Sequence, residues 1–356
     1  MLRLAHRLGS ALLTGAVTAI LVSGNAVAQA NPAADTAVPR STVSAPKTLP
    51  DIPDTKGNGP VPSGFFSAWL YSQLNPDVAP SGANDFACTP KDGQNPIVLI
   101  HGTIQNVYNN WSYFSPILKR AGYCVFAPNY GRTDLLDQGG LGTVLPGVHA
   151  VASIRQSSDQ LARYIDRVRT ATGSDKVDVI GASQGGLVAR HYLKFNGGAN
   201  AENPDKNKVE RLIMFGSPNH GTTLWGFAAL GRALADVGIP VMENGLSSWL
   251  YGAGAIDQGV GSPAIKAINA ERMTYPGIEY TSVATRYDQV VHPYDTAFIR
   301  ARGVENLTLQ DGCEADTSDH LSMMYSSRSV SIALRALDPE RFGEARCNPN
   351  VWLFSF

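Results

Sequence analysis

The stretch that most constrains this chain runs Val177-Asp178-Val179-Ile180-Gly181-Ala182-Ser183-Gln184-Gly185-Gly186-Leu187-Val188. Its β-branched, apolar start reads as a buried strand. Gly-x-Ser-x-Gly follows, and Val188, Tyr192 and Phe195 then recur at helical spacing. A strand that turns abruptly into a helix strains the backbone at the bend and lifts the serine hydroxyl above the sheet edge. Gly181 and Gly185 are expected on either side because a Cβ there would clash in so tight a turn. The free N–H groups and positive dipole end of the helix point at the same place, where an anion on a substrate oxygen would be stabilised. In a chain with 35 Gly the motif alone is weak; the strand before it and the helix after it give it meaning.

The rest of the chain alternates in the same way. Strands are expected at Ile97–His101, Tyr123–Ala127, Val177–Ile180, Arg211–Phe215, Glu279–Ala284 and Leu307–Gln310, and helices at Asn110–Ala121, 148–171, 185–196 and Val330–Leu337. The 148–171 helix carries Val151, Ile154, Leu161, Ile165 and Val168 on one stripe. Such alternation predicts an α/β fold with a mainly parallel sheet covered by helices on both faces. Residues 217–265 interrupt it. They are rich in Gly and large apolar residues, Trp225, Phe227, Trp249 and Tyr251 among them, and they delay the next strand. A segment of this length between strands reads as a cap or lid.

The ends read differently. Residues 1–28 look like a signal peptide: Arg3, His6 and Arg7, then apolar Leu8 to Val22, then Ala26-Val27-Ala28 or Ala28-Gln29-Ala30 as a small-x-small cleavage pattern. The apolar part is short for a membrane span. Residues 29–60, rich in Pro, Ala, Thr and Ser, read as a flexible linker, and residues 61–356 as the catalytic domain. Phe65, Phe66, Trp69, Leu70 and Tyr71 are enough to dock a short helix on it. Four Cys in an exported chain point to two disulfides. Of three possible pairings, Cys88–Cys124 and Cys313–Cys347 join residues expected beside neighbouring strands or in the C-terminal tail. A net charge of −1 and the absence of any basic run of five argue against nucleic acid as a partner.

A serine hydroxyl needs a base to take its proton and an acid to orient that base. In a sheet of this kind the order along the chain is Ser, then Asp or Glu, then His. Of the seven His, His6, His101 and His149 precede Ser183, His191 lies on the helix after it, and His220 comes too early to leave room for the acid. His292 and His320 remain. Asp288 directly follows a strand, and His320 follows the next one. His292 shares the loop of Asp288 and is the weaker candidate. Asp295, Asp311, Asp316 and Asp319 compete with Asp288; Asp319 adjoins His320, and neighbouring residues rarely point their tips at each other. The Asp311, Asp316 and Asp319 group reads as a solvated acidic loop rather than a cation site. Two backbone donors for the oxyanion are expected from Gln184, just after the serine, and Thr103, in the loop after the first strand. The hydroxyl of Thr103 is a further candidate donor. His101 is expected to fix that loop rather than to catalyse.

Taken together, these residues resemble the secreted bacterial triacylglycerol lipases and esterases of the α/β-hydrolase superfamily. The resemblance lies in Pro96-Ile97-Val98-Leu99-Ile100-His101-Gly102-Thr103, Asn110-Trp111-Ser112-Tyr113, Gly122-Tyr123-Cys124-Val125-Phe126-Ala127, Gly181-Ala182-Ser183-Gln184-Gly185-Gly186, Ser217-Pro218-Asn219-His220-Gly221-Thr222, Thr285-Arg286-Tyr287-Asp288 and Ser318-Asp319-His320-Leu321. It implies an α/β-hydrolase fold with a cap or lid insertion, Ser183, Asp288 and His320 as a triad, and Thr103 and Gln184 as an oxyanion hole. The implied activity is ester hydrolysis outside the cell, on a lipid or other ester substrate, at an oil–water interface for the greasier ones. A short-chain or polyester esterase and an acyltransferase would use the same residues. Neither a cofactor nor a metal is implied. In many relatives the residue before the nucleophile is His; here it is Ala182, a difference expected in the shape of the pocket.

Overall fold

Alternating side chains explain the central sheet. In β1 (Ile97–Ile100), Ile97 and Leu99 point to one face while Val98 and Ile100 point to the other. The same division runs through β3 (Val177–Ala182) and β4 (Val209–Phe215), where Val179, Leu212 and Met214 oppose Ile180, Ile213 and Phe215. Both faces are apolar, so both must be covered. The computed structural model describes residues 47–135, 139–223 and 252–351. With β2 (Val125–Phe126), β5 (Glu279–Ala284) and β6 (Val304–Thr308), the strands form one six-stranded sheet in the order β2-β1-β3-β4-β5-β6. Every neighbouring pair is parallel. All strand C-termini therefore meet at one edge, where loops from four strands can converge.

Helices lie on both faces. On the face of Val98 and Ile100, α4 (Ile154–Thr172) and α5 (Gln184–Phe195) contribute Leu161, Ile165, Leu187 and Val188. On the other, α3 (Phe114–Arg120) and α8 (Ser327–Leu337) contribute Phe114, Leu118, Val330 and Ile332. Each fully buried aliphatic side chain of this kind stabilises the fold by about 1.5–3 kcal/mol. Ahead of the sheet, α1 (Phe65–Leu74) docks through Phe65 and Trp69 against Leu321. Two short helices, α6 (Ala253–Asp257) and α7 (Pro263–Asn269), return the chain from the segment after β4. A single turn, α9 (Pro339–Phe342), follows α8. Cys88 pairs with Cys124 and Cys313 with Cys347.

Among the boundaries that differ from the sequence pattern, four have a local reason. The expected helix over 110–121 is two helices, α2 (Val107–Trp111) and α3. Restarting at Phe114 places Pro116 in a first turn, where a missing N–H costs nothing. The helix expected from 148 begins at Ile154, because Ser153 caps it by accepting the Gln156 N–H. Strand β6 lies earlier than Leu307–Gln310; as an edge strand with exposed Glu305 and Asn306 it carries little apolar signal. Residues 47–60 do not run free as a linker. Leu49 and Ile52 are buried, and Gln160 and Arg163 of α4 donate to the carbonyls of Pro50 (2.6 Å) and Leu49 (2.7 Å). The 1–28 signal peptide, residues 29–46 and residues 224–251, the middle of the expected cap, lie outside the described residues.

The turn after β3 departs furthest from ordinary backbone. Ser183 has φ 51° and ψ −124°, a conformation that costs a non-glycine residue about 1–3 kcal/mol. Gly185 has a more specific reason than turn tightness. A Cβ there would stand 2.1 Å from the Ile100 carbonyl oxygen, so glycine is what lets α5 seat against the end of β1. Gly185→Ala should therefore push α5 away from β1 and cost about 1–3 kcal/mol of stability. A urea unfolding curve would read this as a lower midpoint at unchanged slope. An unshifted midpoint would mean the contact relaxes without cost.

Candidate active site

Ser183 sits at the bend between β3 and α5, at the C-terminal edge of the sheet. Its Oγ lies 3.0 Å from His320 Nε2. The other ring nitrogen, Nδ1, lies 2.9 Å from Asp288 Oδ2. All three side chains are buried. Asp288 comes from the loop after β5 and His320 from the loop after β6, so the parallel sheet brings together residues separated by 137 positions along the chain. The second oxygen of Asp288, Oδ1, accepts the backbone N–H groups of Val290 (2.9 Å) and Val291 (2.7 Å). These bonds hold the carboxylate in place and leave Oδ2 for the imidazole, whose Nδ1–H donates to it. Nε2 then carries a lone pair facing Ser183, the state in which an imidazole can accept the hydroxyl proton.

Thr103 and Gln184 meet beside Ser183. The Thr103 hydroxyl donates to Gln184 Oε1 at 2.7 Å. Gln184 is the first residue of α5, so its N–H has no acceptor within the helix. Gly102, one residue before Thr103, leaves room: a Cβ there would stand 3.2 Å from Ser183 Cβ. Two crevices flank the serine. Thr103, Gln258 and Val290 line one, and Ala182, Leu321 and Met323 the other.

The chain is similar to known proteins. A family model described as "Lipase (class 2)" matches residues 94–326. The chain belongs to the class 2 lipase family. Its parallel sheet with helices on both faces is an α/β-hydrolase fold. Among solved structures it is similar to a lipase B of Aspergillus fumigatus, with 20% identity and a TM-score of 0.52 over 74% of this chain and 57% of the other. It thus spans a little over half the length of that lipase. A Bacillus licheniformis lipase in its mature form aligns at 15% identity over 70% of this chain and 94% of the other, with a TM-score of 0.45. At 20% identity the likeness to the Aspergillus lipase speaks for the fold.

The competing residues of this class 2 lipase fall elsewhere. His292 bonds through its backbone N–H, to Thr222 Oγ1 at 3.4 Å. Asp295 pairs with Arg300 at the surface. Asp319 accepts from the backbone N–H groups of Leu321 (3.1 Å) and Ser322 (2.8 Å), and so shapes the loop that carries His320. The acidic group expected to be solvated is only partly so. Asp311 is exposed and pairs with Arg286, whereas Asp316 and Asp319 are buried. Asp316 accepts from the hydroxyls of Ser318 and Ser326, its bond to the latter being 2.5 Å. Buried carboxylates of this kind are tolerated because hydrogen bonds replace the lost water. His101 is buried and stacks on Tyr130 at 4.5 Å, and its Nδ1–H donates to the Gly102 carbonyl at 2.9 Å. Burial pushes its imidazole down to about 4, against the opposing pull of that carbonyl. It braces the loop of Thr103.

Two further contributors were given no role from the sequence, although Asn110 heads one of the segments that carry the resemblance. Asn110 Oδ1 accepts the Gly102 N–H at 3.0 Å, which orients the loop from helix α2. Gln258, 74 residues from Gln184, donates to its Oε1 at 3.0 Å. Nothing local in the sequence marks Gln258, since it acts through partners far away in the chain.

The charge balance at His320 has a testable sign. Burial lowers its affinity for a proton, but the Asp288 carboxylate, through charge and hydrogen bond and with help from Asp319, raises it above the ordinary 6.5. A general base must be neutral, so with His320 in that role kcat/KM should fall as pH drops through a value above 6.5. Stability runs the opposite way: the stabilising pair with protonated His320 is present below the unfolded value and lost as pH rises through the folded one. Asp288→Asn should lower the midpoint of the His320 titration seen by NMR. It should also cut kcat on the order of 10³–10⁴-fold by removing the acceptor that fixes the tautomer. A midpoint unmoved in Asp288→Asn would show that the carboxylate does not govern the ring.

Proposed function

We propose that this class 2 lipase is an exported triacylglycerol lipase acting on medium and long acyl chains, with Ser183 as nucleophile, His320 as general base and Asp288 as its orienting acid. The observation that carries the reading is the continuous path from Asp288 Oδ2 through the His320 ring to Ser183 Oγ, with bonds of 2.9 and 3.0 Å. Ser183 Oγ attacks the ester carbonyl carbon while its proton passes to His320 Nε2. The carbonyl oxygen becomes an oxyanion facing the backbone N–H groups of Thr103 and Gln184. When the tetrahedral intermediate collapses, the ester C–O bond breaks and the leaving alcohol takes the proton from Nε2. Water, deprotonated by the same imidazole, then attacks the acyl carbon; the bond from that carbon to Ser183 Oγ breaks, Oγ takes the proton back from Nε2, and the acid is released. Asp288 accepts the Nδ1–H of the imidazolium that forms and stabilises it.

Support for a greasy substrate comes from the sequence between β4 and α6, where Leu224, Trp225, Phe227, Leu230, Trp249 and Leu250 cluster. Exposed apolar residues there would meet a lipid surface or acyl chain. Support for export comes from the basic and apolar N-terminal pattern and from two disulfides, which persist in oxidising compartments. Among the described residues, no helix is long and apolar enough to cross a membrane.

Hydrolysis of p-nitrophenyl esters from acetate to palmitate, by the native protein and Ser183→Ala side by side, tests this. Rates should peak at medium or long chains, and Ser183→Ala should fall by about 10⁶-fold, to the level left by binding and the oxyanion donors alone. Rates confined to acetate and butyrate would keep the serine chemistry but assign the protein to short-chain esterases. Full activity in Ser183→Ala would remove the serine from the mechanism.

A further inference from the structure

The two oxyanion donors belong to distant parts of the chain, one after β1 and one at the start of α5. Something must hold them in register, because misplacing a catalytic group by about 1 Å can cost 10²-fold in rate. The direct link is the bond from the Thr103 hydroxyl to Gln184 Oε1, at 2.7 Å. A third residue closes it into a triangle. Gln258 Nε2 lies 2.8 Å from Thr103 Oγ1, 3.0 Å from Gln184 Oε1 and 3.0 Å from the Gly254 carbonyl. Gln258 is buried and caps the C-terminal end of helix α6. The Thr103 hydroxyl is thereby occupied, donating to Gln184 and accepting from Gln258. It serves as a bracket in this arrangement, and the backbone N–H groups are left to meet the oxyanion.

The same residue extends the network toward the acid. The backbone carbonyl of Gln258 accepts the Thr222 N–H at 2.9 Å, and Thr222 Oγ1 bonds the Val290 carbonyl. Val290 in turn donates its N–H to Asp288 Oδ1. One hydrogen-bonded path thus joins the oxyanion loop, both ends of the segment inserted after β4, and the loop of Asp288.

We propose that Gln258 is a positioning residue for the oxyanion hole: its side-chain amide holds Thr103 and Gln184 so that their backbone N–H groups converge on the developing charge. The inference rests on the serine mechanism proposed above. Gln258→Leu removes the amide at nearly the same size. It should lower kcat on the order of 10- to 100-fold with KM held within about twofold, since the donors matter in the transition state rather than in substrate binding. A trifluoromethyl ketone matching the acyl chain forms a tetrahedral adduct whose oxygen occupies the same place. Its inhibition constant should rise by the same factor as kcat falls. Thr103→Val should give a loss that does not multiply with that of Gln258→Leu, because both cut one bracket.

Gln258→Glu supplies an independent test should Gln258→Leu fold poorly. A buried carboxyl is held protonated to higher pH than usual, and only its protonated form can donate to the bracket. Its activity relative to the native protein at each pH should rise as pH falls. Three results would overturn the proposal: kcat and inhibition constant both unchanged in Gln258→Leu, kcat lost without change in the inhibition constant, or a flat pH ratio for Gln258→Glu. Persistent activity in Ser183→Ala would overturn the underlying mechanism instead, and is read separately.

Discussion

The close seating of α5 against the end of β1 is the contact on which the rest of the site depends. Gly185 lies where any Cβ would collide with the Ile100 carbonyl oxygen. Because the helix comes in so near, Ser183 is forced into positive φ, and its Oγ is lifted to meet a ring carried by another strand end. Next along the chain, Gln184 begins the helix with an N–H that has no helical acceptor. The loop after β1, which carries Thr103, is drawn against the same turn. One packing contact thus sets the position of Ser183 and of the two backbone N–H groups beside it. The strain at Ser183 persists because strand, helix and neighbouring loop all hold it.

Around that contact the protein surrounds its buried polar groups with hydrogen bonds. Asp288 is fixed by two backbone N–H groups, Asp319 by two more, and Asp316 by the hydroxyls of Ser318 and Ser326. A buried carboxylate without such partners would take up a proton rather than keep its charge. Here each one orders a loop, and together these loops present His320 to Ser183. Cys313–Cys347 ties the chain just before this region to the C-terminal tail, and Asn350 of that tail donates to Ser318 Oγ at 2.8 Å. Loop order is therefore supported from the sheet below and the tail above.

Much of this was legible in the sequence, in the places where local rules act alone. The apolar runs of β1, β3 and β4 read as strands because both sheet faces are covered. Gly-x-Ser-x-Gly read as a strained turn because its flanks have the right periods. Edge strand β6 read too far along the chain, since Glu305 and Asn306 face solvent and break the run. The split between α2 and α3 was hidden because Pro116 is compatible with a helix only in its first turn, and the restart point depends on packing. Asp316 and Asp319 read as surface acids because nothing near them in the sequence announces the hydroxyls and N–H groups that pair with them.

Order along the chain selected Ser183, Asp288 and His320 from among all the acids and histidines, because a parallel sheet sends successive strand ends to one edge. Composition and spacing likewise determined the fold class and favoured the two cysteine pairs. Tertiary structure alone decided which polar side chains stand behind the reacting groups. Gln258 meets Thr103 across 155 residues, and Asn110 reaches Gly102 from a neighbouring helix. Such contacts leave no local pattern, because a hydrogen bond requires a distance and an angle in space and places no constraint on the residues between its partners.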